Sequence, residues 1–305
     1  MTKTADWIAV DWGTTHLRVW VFGPGDEEIA HLTAEKGMGA LVRGEYEAAL
    51  LGLIAPYLAD GVATQVIACG MVGARQGWAE AGYQTVPCPP PGIEAATRVA
   101  TSDPRLDLWI LPGLSQDHPP DVMRGEETQI AGVLSENPGF DGTLCLPGTH
   151  AKWVQISAGE IVSFRTVMTG ELYAAISAHT VLRHSVGEAD DEAAFLDGVQ
   201  DGLMSPEALS VLMFRLRAES LLEGLSPGAA AARLSGLLIG LELAGTRGYW
   251  LGAEVAIVGG ATLTAKYAAA LRAQGLVPRV ADGGAMALTG LRAAHSSAVD
   301  DGGPK

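Results

Sequence analysis

Three short segments carry residue types able to handle a phosphorylated ligand. The first is Asp11-Trp12-Gly13-Thr14-Thr15-His16-Leu17-Arg18. An aspartate closing a buried strand can hold a hydrated Mg2+, because hard cations prefer carboxylate oxygen. Gly13 lets backbone come close to a phosphate. Turn amides and the Thr14 and Thr15 hydroxyls can donate to phosphate oxygens, and Arg18 adds a fixed positive charge. An ordinary Gly-Thr hairpin accounts for these residues equally well when they are read alone.

The second segment, Leu146-Pro147-Gly148-Thr149-His150-Ala151-Lys152-Trp153, sits at the corresponding hairpin of the second half. Gly148 and Thr149 facing the first hairpin across a cleft would clamp a polyphosphate from both sides. Lys152 would then lie near the transferring phosphoryl group. His150 reads as a satisfied polar residue beside a turn rather than as a metal ligand. The third segment, Ile257-Val258-Gly259-Gly260-Ala261-Thr262-Leu263, runs a strand into Gly259 and Gly260 at a helix start. Such a turn suits an adenine or ribose lying against backbone, although a plain strand–helix turn is the simpler reading of that segment alone.

The elements that must position these segments follow from hydrophobic periodicity. Residues 7–11, 16–22 and 28–32 read as an antiparallel meander, with Leu17, Val19 and Val21 on one face. A helix over 45–58, a strand over 65–69, a stiff proline loop over 87–92, a strand over 108–111 and a helix over 126–134 follow. Near residue 137 the plan restarts, with strands at 143–146, 152–156 and 160–165. Helices are expected over 170–182, 192–203, 206–222 and 229–244, the last apolar on nearly every side and therefore buried. Strands at 255–258 and 277–281 and helices at 265–273 and 285–294 close the chain. The halves repeat a plan and not a sequence, which points to a tandem α/β pair with a cleft between.

Composition limits the function classes. The 305 residues carry a formal charge of −15, with 48% hydrophobic and 18% charged residues. Such a chain folds, and its negative field argues against nucleic acid or anionic membrane as partner. Three cysteines without a C-x-x-C spacing fit a reducing compartment. With no apolar leader and no uninterrupted apolar run of about 18 residues, a soluble cytoplasmic protein is expected. No G-x-G-x-x-G follows the first strand and no G-K-[ST] occurs, which disfavours a dinucleotide oxidoreductase and a Walker-type ATPase.

Two hairpins and a Gly-Gly turn in this order resemble the phosphate 1, phosphate 2 and adenosine motifs of the actin, hexokinase and Hsp70 ATPase superfamily, the first being close to the D-x-G-T-T-x-x-R form of sugar kinases. Small residues over 126–134 and 284–291 fall where that superfamily places two crossing connector helices. Longer strings resemble the 2-dehydro-3-deoxygalactonokinase family from about residue 7 to 294. They are Gly70-Met71-Val72-Gly73, Met123-Arg124-Gly125-Glu126-Glu127-Thr128-Gln129, Pro147-Gly148-Thr149-His150-x-Lys152-Trp153, Phe164-Arg165-Thr166-Val167-Met168-Thr169-Gly170-Glu171-Leu172 and Ser235-Gly236-Leu237-Leu238-Ile239-Gly240.

The resemblance implies an α/β, two-lobed actin-like ATPase (ribonuclease H-like) fold with mixed sheets and an interdomain cleft. Residues 1–134 plus a C-terminal helix at 284–296 would form the first lobe, 135–283 the second, and 297–305 a polar tail. It implies ATP and Mg2+ as cofactors and transfer of the γ-phosphoryl group to the 6-hydroxyl of 2-dehydro-3-deoxy-D-galactonate, in galactonate catabolism. Asp11 would hold Mg2+ through water; Gly13, Thr14, Thr15, Arg18, Gly148 and Thr149 would grip phosphates; Gly259 and Gly260 would approach the nucleoside. Where many sugar kinases of the superfamily carry an aspartate base, this chain offers Glu126 and Glu127. The string resembles the G-x-E-E element of exopolyphosphatases, which favours Glu127 as base; acidic residues favouring a helix N-terminus are the plainer reading. Arg124, Arg165 and Arg75 are candidates for the substrate carboxylate, and Glu171 either binds substrate hydroxyls or caps its helix. Gly37-Met38-Gly39 and residues 70–73 read as sugar-side loops. The partners expected are a small sugar acid and ATP, with no nucleic acid or membrane; self-assembly is left open. A polyphosphate-type phosphohydrolase, a kinase for another 2-keto-3-deoxy sugar acid, and a non-catalytic nucleotide-binding module are the rival readings.

Overall fold

The computed structural model describes residues 4–188 and 191–300. The first half contains β1 (Trp7–Trp12), β2 (Leu17–Gly23), β3 (Glu27–Ala34), α1 (Tyr46–Ile54) and β4 (Thr64–Gly70). It continues with β5 (Tyr83–Thr85), β6 (Thr97–Val99), β7 (Leu106–Ile110), β8 (Gly113–Gln116), β9 (Asp121–Met123) and α2 (Glu126–Glu136). The second half opens with β10 (Gly142–Leu146), β11 (Ala151–Ser157) and β12 (Glu160–Val167), then α3 (Thr169–His179), α4 (Glu192–Met204), α5 (Leu209–Leu222) and α6 (Pro227–Gly245). It closes with α7 (Arg247–Trp250), β13 (Val255–Gly259), α8 (Ala261–Ala273), β14 (Arg279–Asp282) and α9 (Gly283–Asp300).

The chain forms two compact units, one of residues 1–140, 157–163 and 283–305 and one of 141–156 and 164–282. The first unit is built on a six-stranded sheet of order β3-β2-β1-β4-β7-β6. The second holds the sheet β12-β11-β10-β13-β14 apart from residues 157–163, at the end of β11 and the start of β12. In each sheet the first three strands form an antiparallel meander, and the fourth lies parallel to the first. The repeat of plan is therefore a repeat of topology, β3-β2-β1-β4-β7 matching β12-β11-β10-β13-β14.

Strand parity settles which side chains meet which helices. On β1, Ile8, Val10 and Trp12 pack with Tyr46 and Leu50 of α1, whereas Trp7 and Ala9 pack with Leu291 and Ala294 of α9. Asp11 shares the parity of Trp7 and Ala9, so it points to the face that α9 covers. Helix α9 in turn crosses α2 so closely that a Cβ on Gly132 would stand 2.0 Å from the Met286 carbonyl oxygen, and one on Gly290 1.9 Å from that of Thr128. In the second unit α4 and α6 cross in the same manner. A Cβ on Gly198 or Gly202 would strike the backbone of α6, and one on Gly236 or Gly240 that of α4, all within 2.3 Å. Helix α6 is buried over most of its length, as its apolar circumference predicts.

Some expectations shift at their edges. The helix expected over 45–58 ends at Ile54, because Pro56 enters a 3-10 turn. That over 170–182 gives way to a 3-10 turn at Val181–His184. The helix expected from 265 already begins at Ala261. Helix α9 continues to Asp300, into the expected polar tail at 297–305, whose residues 301–305 lie outside the described residues. The short β6 and the three-stranded sheet β5-β8-β9 were not anticipated, since runs of three or four residues carry too little periodicity.

If the helix crossing is as tight as the glycines indicate, Gly290→Ala should lower stability by about 1–3 kcal/mol, because backbone must move apart. Gly52→Ala on the exposed, open face of α1 should raise it by about 0.5–1 kcal/mol. Paired thermal or urea melts check this, and equal effects at the two positions would contradict the packing argument.

Candidate active site

Asp11, one residue before the end of β1, lies opposite Arg18 in the β1–β2 register, and the Arg18 guanidinium donates to its carboxylate at 2.5 Å. On the other side of β1 the parallel β4 places Cys69 opposite Asp11 and Gly70 opposite Trp12. Gly70 leaves the strand at φ +88°, a conformation that L side chains rarely adopt. Gly125, at φ +102°, comes so near that its Cβ would stand 3.2 Å from the Gly70 Cα. This backbone contact delivers the first residues of α2, Glu126 and Glu127, to the end of the sheet where Asp11 lies. Burial pushes the Asp11 carboxyl above its ordinary value; Arg18 opposes the shift and the nearby Glu126 adds to it.

Glu127 is fully enclosed. Its Oε2 accepts the Gly125 amide at 2.6 Å, and its Oε1 faces the Thr128 hydroxyl at 3.4 Å. Desolvation, reinforced by Glu126, pushes its carboxyl up to about 8, although backbone donors and Arg124 oppose this. Glu126 is half-buried and accepts the Arg124 amide at 3.2 Å. The two neighbours thus differ in environment, one sealed and one partly open to water.

Arg124 is held in place from several sides. Its Nη2 donates to the carbonyls of Ala81 and Gly82 at 2.7 and 3.2 Å, and the guanidinium lies 4.4 Å from the Tyr83 ring centre. Its Nε and Nη1 are shut off from solvent without a hydrogen-bond partner. Arg75 belongs to the same unit and is exposed; its carbonyl takes a bond from Arg43 at 2.7 Å. The first hairpin is braced from behind by residues 37–39: Gly37 and Gly39 donate to the carbonyls of Thr15 and Thr14 at 2.9 Å, and Met38 to that of Gly13 at 3.0 Å. The turn's carbonyls are therefore occupied, while the Thr14 and Thr15 side chains are exposed.

The second unit repeats the device. Glu171 donates its amide to the Thr149 carbonyl at 3.0 Å, and Gly170 lies so close that its Cβ would stand 2.4 Å from the Gly148 carbonyl oxygen. Thr149 is exposed, like its counterparts in the first hairpin. Glu171 also meets the His150 ring at 2.7 Å. Lys152 is buried on β11, with Nζ donating to the His150 carbonyl at 2.9 Å. Gly259 ends β13 beside the same hairpin, its Cβ position 3.5 Å from the Pro147 carbonyl oxygen, and Gly260 faces open space. Arg165 is exposed on β12. Asp11, Gly13, Thr14, Thr15, Arg18, Arg75, Arg124, Glu126 and Glu127 thus fall in the first unit, and Gly148, Thr149, Lys152, Arg165, Glu171, Gly259 and Gly260 in the second.

With these residues placed, the comparisons with known proteins acquire a geometric meaning. The family model described as 2-keto-3-deoxy-galactonokinase matches residues 11–294, from the Asp11 strand to the end of the α2–α9 crossing. The chain belongs to that family. The Escherichia coli 2-dehydro-3-deoxygalactonokinase is 37% identical over 301 residues, spanning 97% of this chain and 99% of its own length. A solved structure of the same designation from Sinorhizobium meliloti is 39% identical, covers 95% of this chain and 98% of its own, and superposes with a TM-score of 0.89. The activator of 2-hydroxyisocaproyl-CoA dehydratase from Clostridium difficile, solved with ADPNP, shares only 13% identity but covers 97% of this chain and 96% of its own at a TM-score of 0.51. That last likeness concerns the fold alone. The fold is the actin-like, ribonuclease H-like ATPase fold, its repeated sheet being the 3-2-1-4-5 topology found in both units.

One residue that the sequence reading passed over is Glu242, enclosed within the second unit. Its Oε1 accepts the Trp153 indole N–H at 2.7 Å, and its Oε2 accepts the hydroxyls of Thr169 and Tyr267. The signal available was a carboxylate inside a helix apolar on all sides, which requires buried donors.

A carboxyl held at about 8 in the folded chain binds its proton more tightly there than in the unfolded chain. Its stabilising contribution is fully present below the ordinary glutamate value of about 4.5 and is lost as pH rises towards 8. Glu127→Gln should therefore gain stability relative to the parent across that window and level off above it. Melting curves at several pH values check this; a difference that does not change with pH would place the Glu127 carboxyl in its ordinary range.

Proposed function

We propose that the protein transfers the γ-phosphoryl group of ATP to the 6-hydroxyl of 2-dehydro-3-deoxy-D-galactonate. The observation that carries this reading is the pair of Gly-Thr hairpins, each braced from behind through its carbonyls and each presenting threonine hydroxyls outward. Phosphoryl transfer asks for positioning and charge neutralisation rather than covalent chemistry, and outward turn donors provide both. Thr14, Thr15, Gly148 and Thr149 bind phosphate oxygens, Gly13 allows their approach, and Gly259 and Gly260 lie against the nucleoside. Lys152 neutralises charge near the second hairpin. Asp11 fits a Mg2+ ion, which takes one or two carboxylates and draws its remaining ligands from water and phosphates. A bound Mg2+ supplies charge neutralisation on the triphosphate, and Arg18 holds the Asp11 carboxylate in orientation.

Glu127 accepts the proton of the substrate hydroxyl. Its enclosed site raises its proton affinity towards the range where a base works best near neutral pH. Glu126 supports that shift by its charge. For the substrate carboxylate, Arg165 and Arg75 offer exposed guanidinium groups, whereas Arg124 is engaged with Ala81, Gly82 and Tyr83 and lowers the proton affinity of Glu127. Glu171, paired with His150, is available to sugar hydroxyls. The three cysteines are all buried free thiols among the described residues, which fits work in the reducing cytoplasm.

A coupled assay with ATP, Mg2+ and the sugar acid tests these roles. Glu127→Gln should lower kcat by about 100-fold or more with KM for ATP little changed, and parental kcat should rise with pH towards 8. Unchanged turnover in Glu127→Gln would move the base elsewhere. Asp11→Asn should raise the Mg2+ concentration needed for half-maximal rate; full activity at low Mg2+ would remove Asp11 from that role. Phosphate release from polyphosphate without sugar acid would favour the phosphohydrolase reading instead.

A further inference from the structure

Glu242 touches three elements at once, and each leads directly to a part of the nucleotide apparatus of the second unit. Trp153 belongs to β11, the returning arm of the Gly148–Thr149 hairpin, and lies next to Lys152. Thr169 is the first residue of α3, and the two residues after it are those that brace the hairpin, Gly170 against the Gly148 carbonyl and Glu171 on the Thr149 carbonyl. Tyr267 lies on α8, the helix that starts after Gly259 and Gly260. One buried carboxylate with three donors thus fixes the hairpin arm, the hairpin brace and the nucleoside-side helix relative to one another. Removing the carboxylate would leave three donors without their acceptor, a large cost for enclosed groups.

We infer that Glu242 is the positioning residue of the second phosphate hairpin, setting affinity for the nucleotide rather than for the sugar acid. The inference rests on the reading above that Gly148 and Thr149 bind phosphate. The Thr169 hydroxyl is the connection to the brace. Its bond to Glu242 sets where α3 begins, and one residue further on the backbone packs so tightly on the hairpin that a methyl group could not fit between them. A carboxamide keeps the shape but not the charge: with its oxygen on the Trp153 N–H, its NH2 faces the Thr169 and Tyr267 hydroxyls, which must then turn to accept where they donate to the carboxylate.

The experiment measures KM for ATP and for the sugar acid separately in Glu242→Gln, Thr169→Val, Thr169→Ser and Thr149→Ala, with melting temperature recorded for each. Glu242→Gln should raise KM for ATP about tenfold or more while KM for the sugar acid stays within about twofold. Thr169→Val should raise KM for ATP severalfold, and Thr169→Ser, which keeps the hydroxyl, should restore it. A purely structural carboxylate would lower the melting temperature and the active fraction without separating the two KM values, and that result overturns the inference. Should Glu242→Gln fail to fold, the Val and Ser variants at Thr169 decide, equal KM values for ATP in both counting against it. Thr149→Ala separates the two levels of argument. A raised KM for ATP there with none in the Glu242 and Thr169 variants refutes only the positioning role. An unchanged KM in Thr149→Ala refutes the phosphate hairpin, and the inference with it.

Discussion

The contact of Gly70 with Gly125 determines what Asp11 can do, because it decides which carboxylates arrive beside that strand end. A Cβ on Gly125 would crowd the Gly70 Cα at 3.2 Å and one on Gly70 would meet the Trp12 carbonyl oxygen at 2.8 Å, and both residues adopt positive φ, so each is also conformationally selected. Once α2 starts there, the helical phase buries Glu127 and leaves Glu126 half open. Desolvation follows from that geometry and lifts the Glu127 carboxyl towards neutrality. A difference of one residue along the helix therefore encloses one carboxyl and leaves its chemically identical neighbour partly open to water.

The α2–α9 crossing supports the same site from behind. Gly290 presses against the carbonyl of Thr128, the residue that follows Glu127, so the position of the carboxyl depends on α9 as much as on α2. Helix α9 comes last in the sequence, yet it packs on Trp7, Ala9 and Phe22 of the first strands. Completion of the first unit thus waits for the C-terminal segment. Such a non-local arrangement slows folding relative to local pairing, since loop closure precedes its reward.

Legibility in the sequence varied with the kind of constraint. The meander of β1, β2 and β3 could be read from alternating residues such as Leu17, Val19 and Val21, because both sheet faces are packed and parity is enforced. Its counterpart β10-β11-β12 was visible from its turns, Pro147-Gly148-Thr149 and Ala158-Gly159, the latter with positive φ at both positions. The buried helix α6 announced itself through an unbroken apolar circumference. The small sheet β5-β8-β9 did not, since its strands are three to four residues long and are ordered by tertiary contacts. In the candidate site, residue types and spacing suggested Asp11 for Mg2+ and Thr14 and Thr149 for phosphate. The long-range partners were hidden: nothing local links Gly37 to Thr15 or Glu242 to Trp153, 89 residues apart.

Glu127 and Glu242 show how partners, not burial, distinguish two equally enclosed carboxylates. Both are enclosed, and burial drives both above the ordinary range. Glu242 is met by three side-chain donors, from Trp153, Thr169 and Tyr267, each of which favours the charged form and holds it in one orientation. Glu127 has one short bond from a backbone amide and a long one from Thr128, and it lies beside the negative charge of Glu126. Its second oxygen is therefore weakly held and its carboxyl is raised to about 8, which supports the proposed role as base. Three side-chain donors around Glu127 would oppose the rise that burial imposes and would fix the carboxyl in one orientation, and so would make it a poorer base near neutral pH.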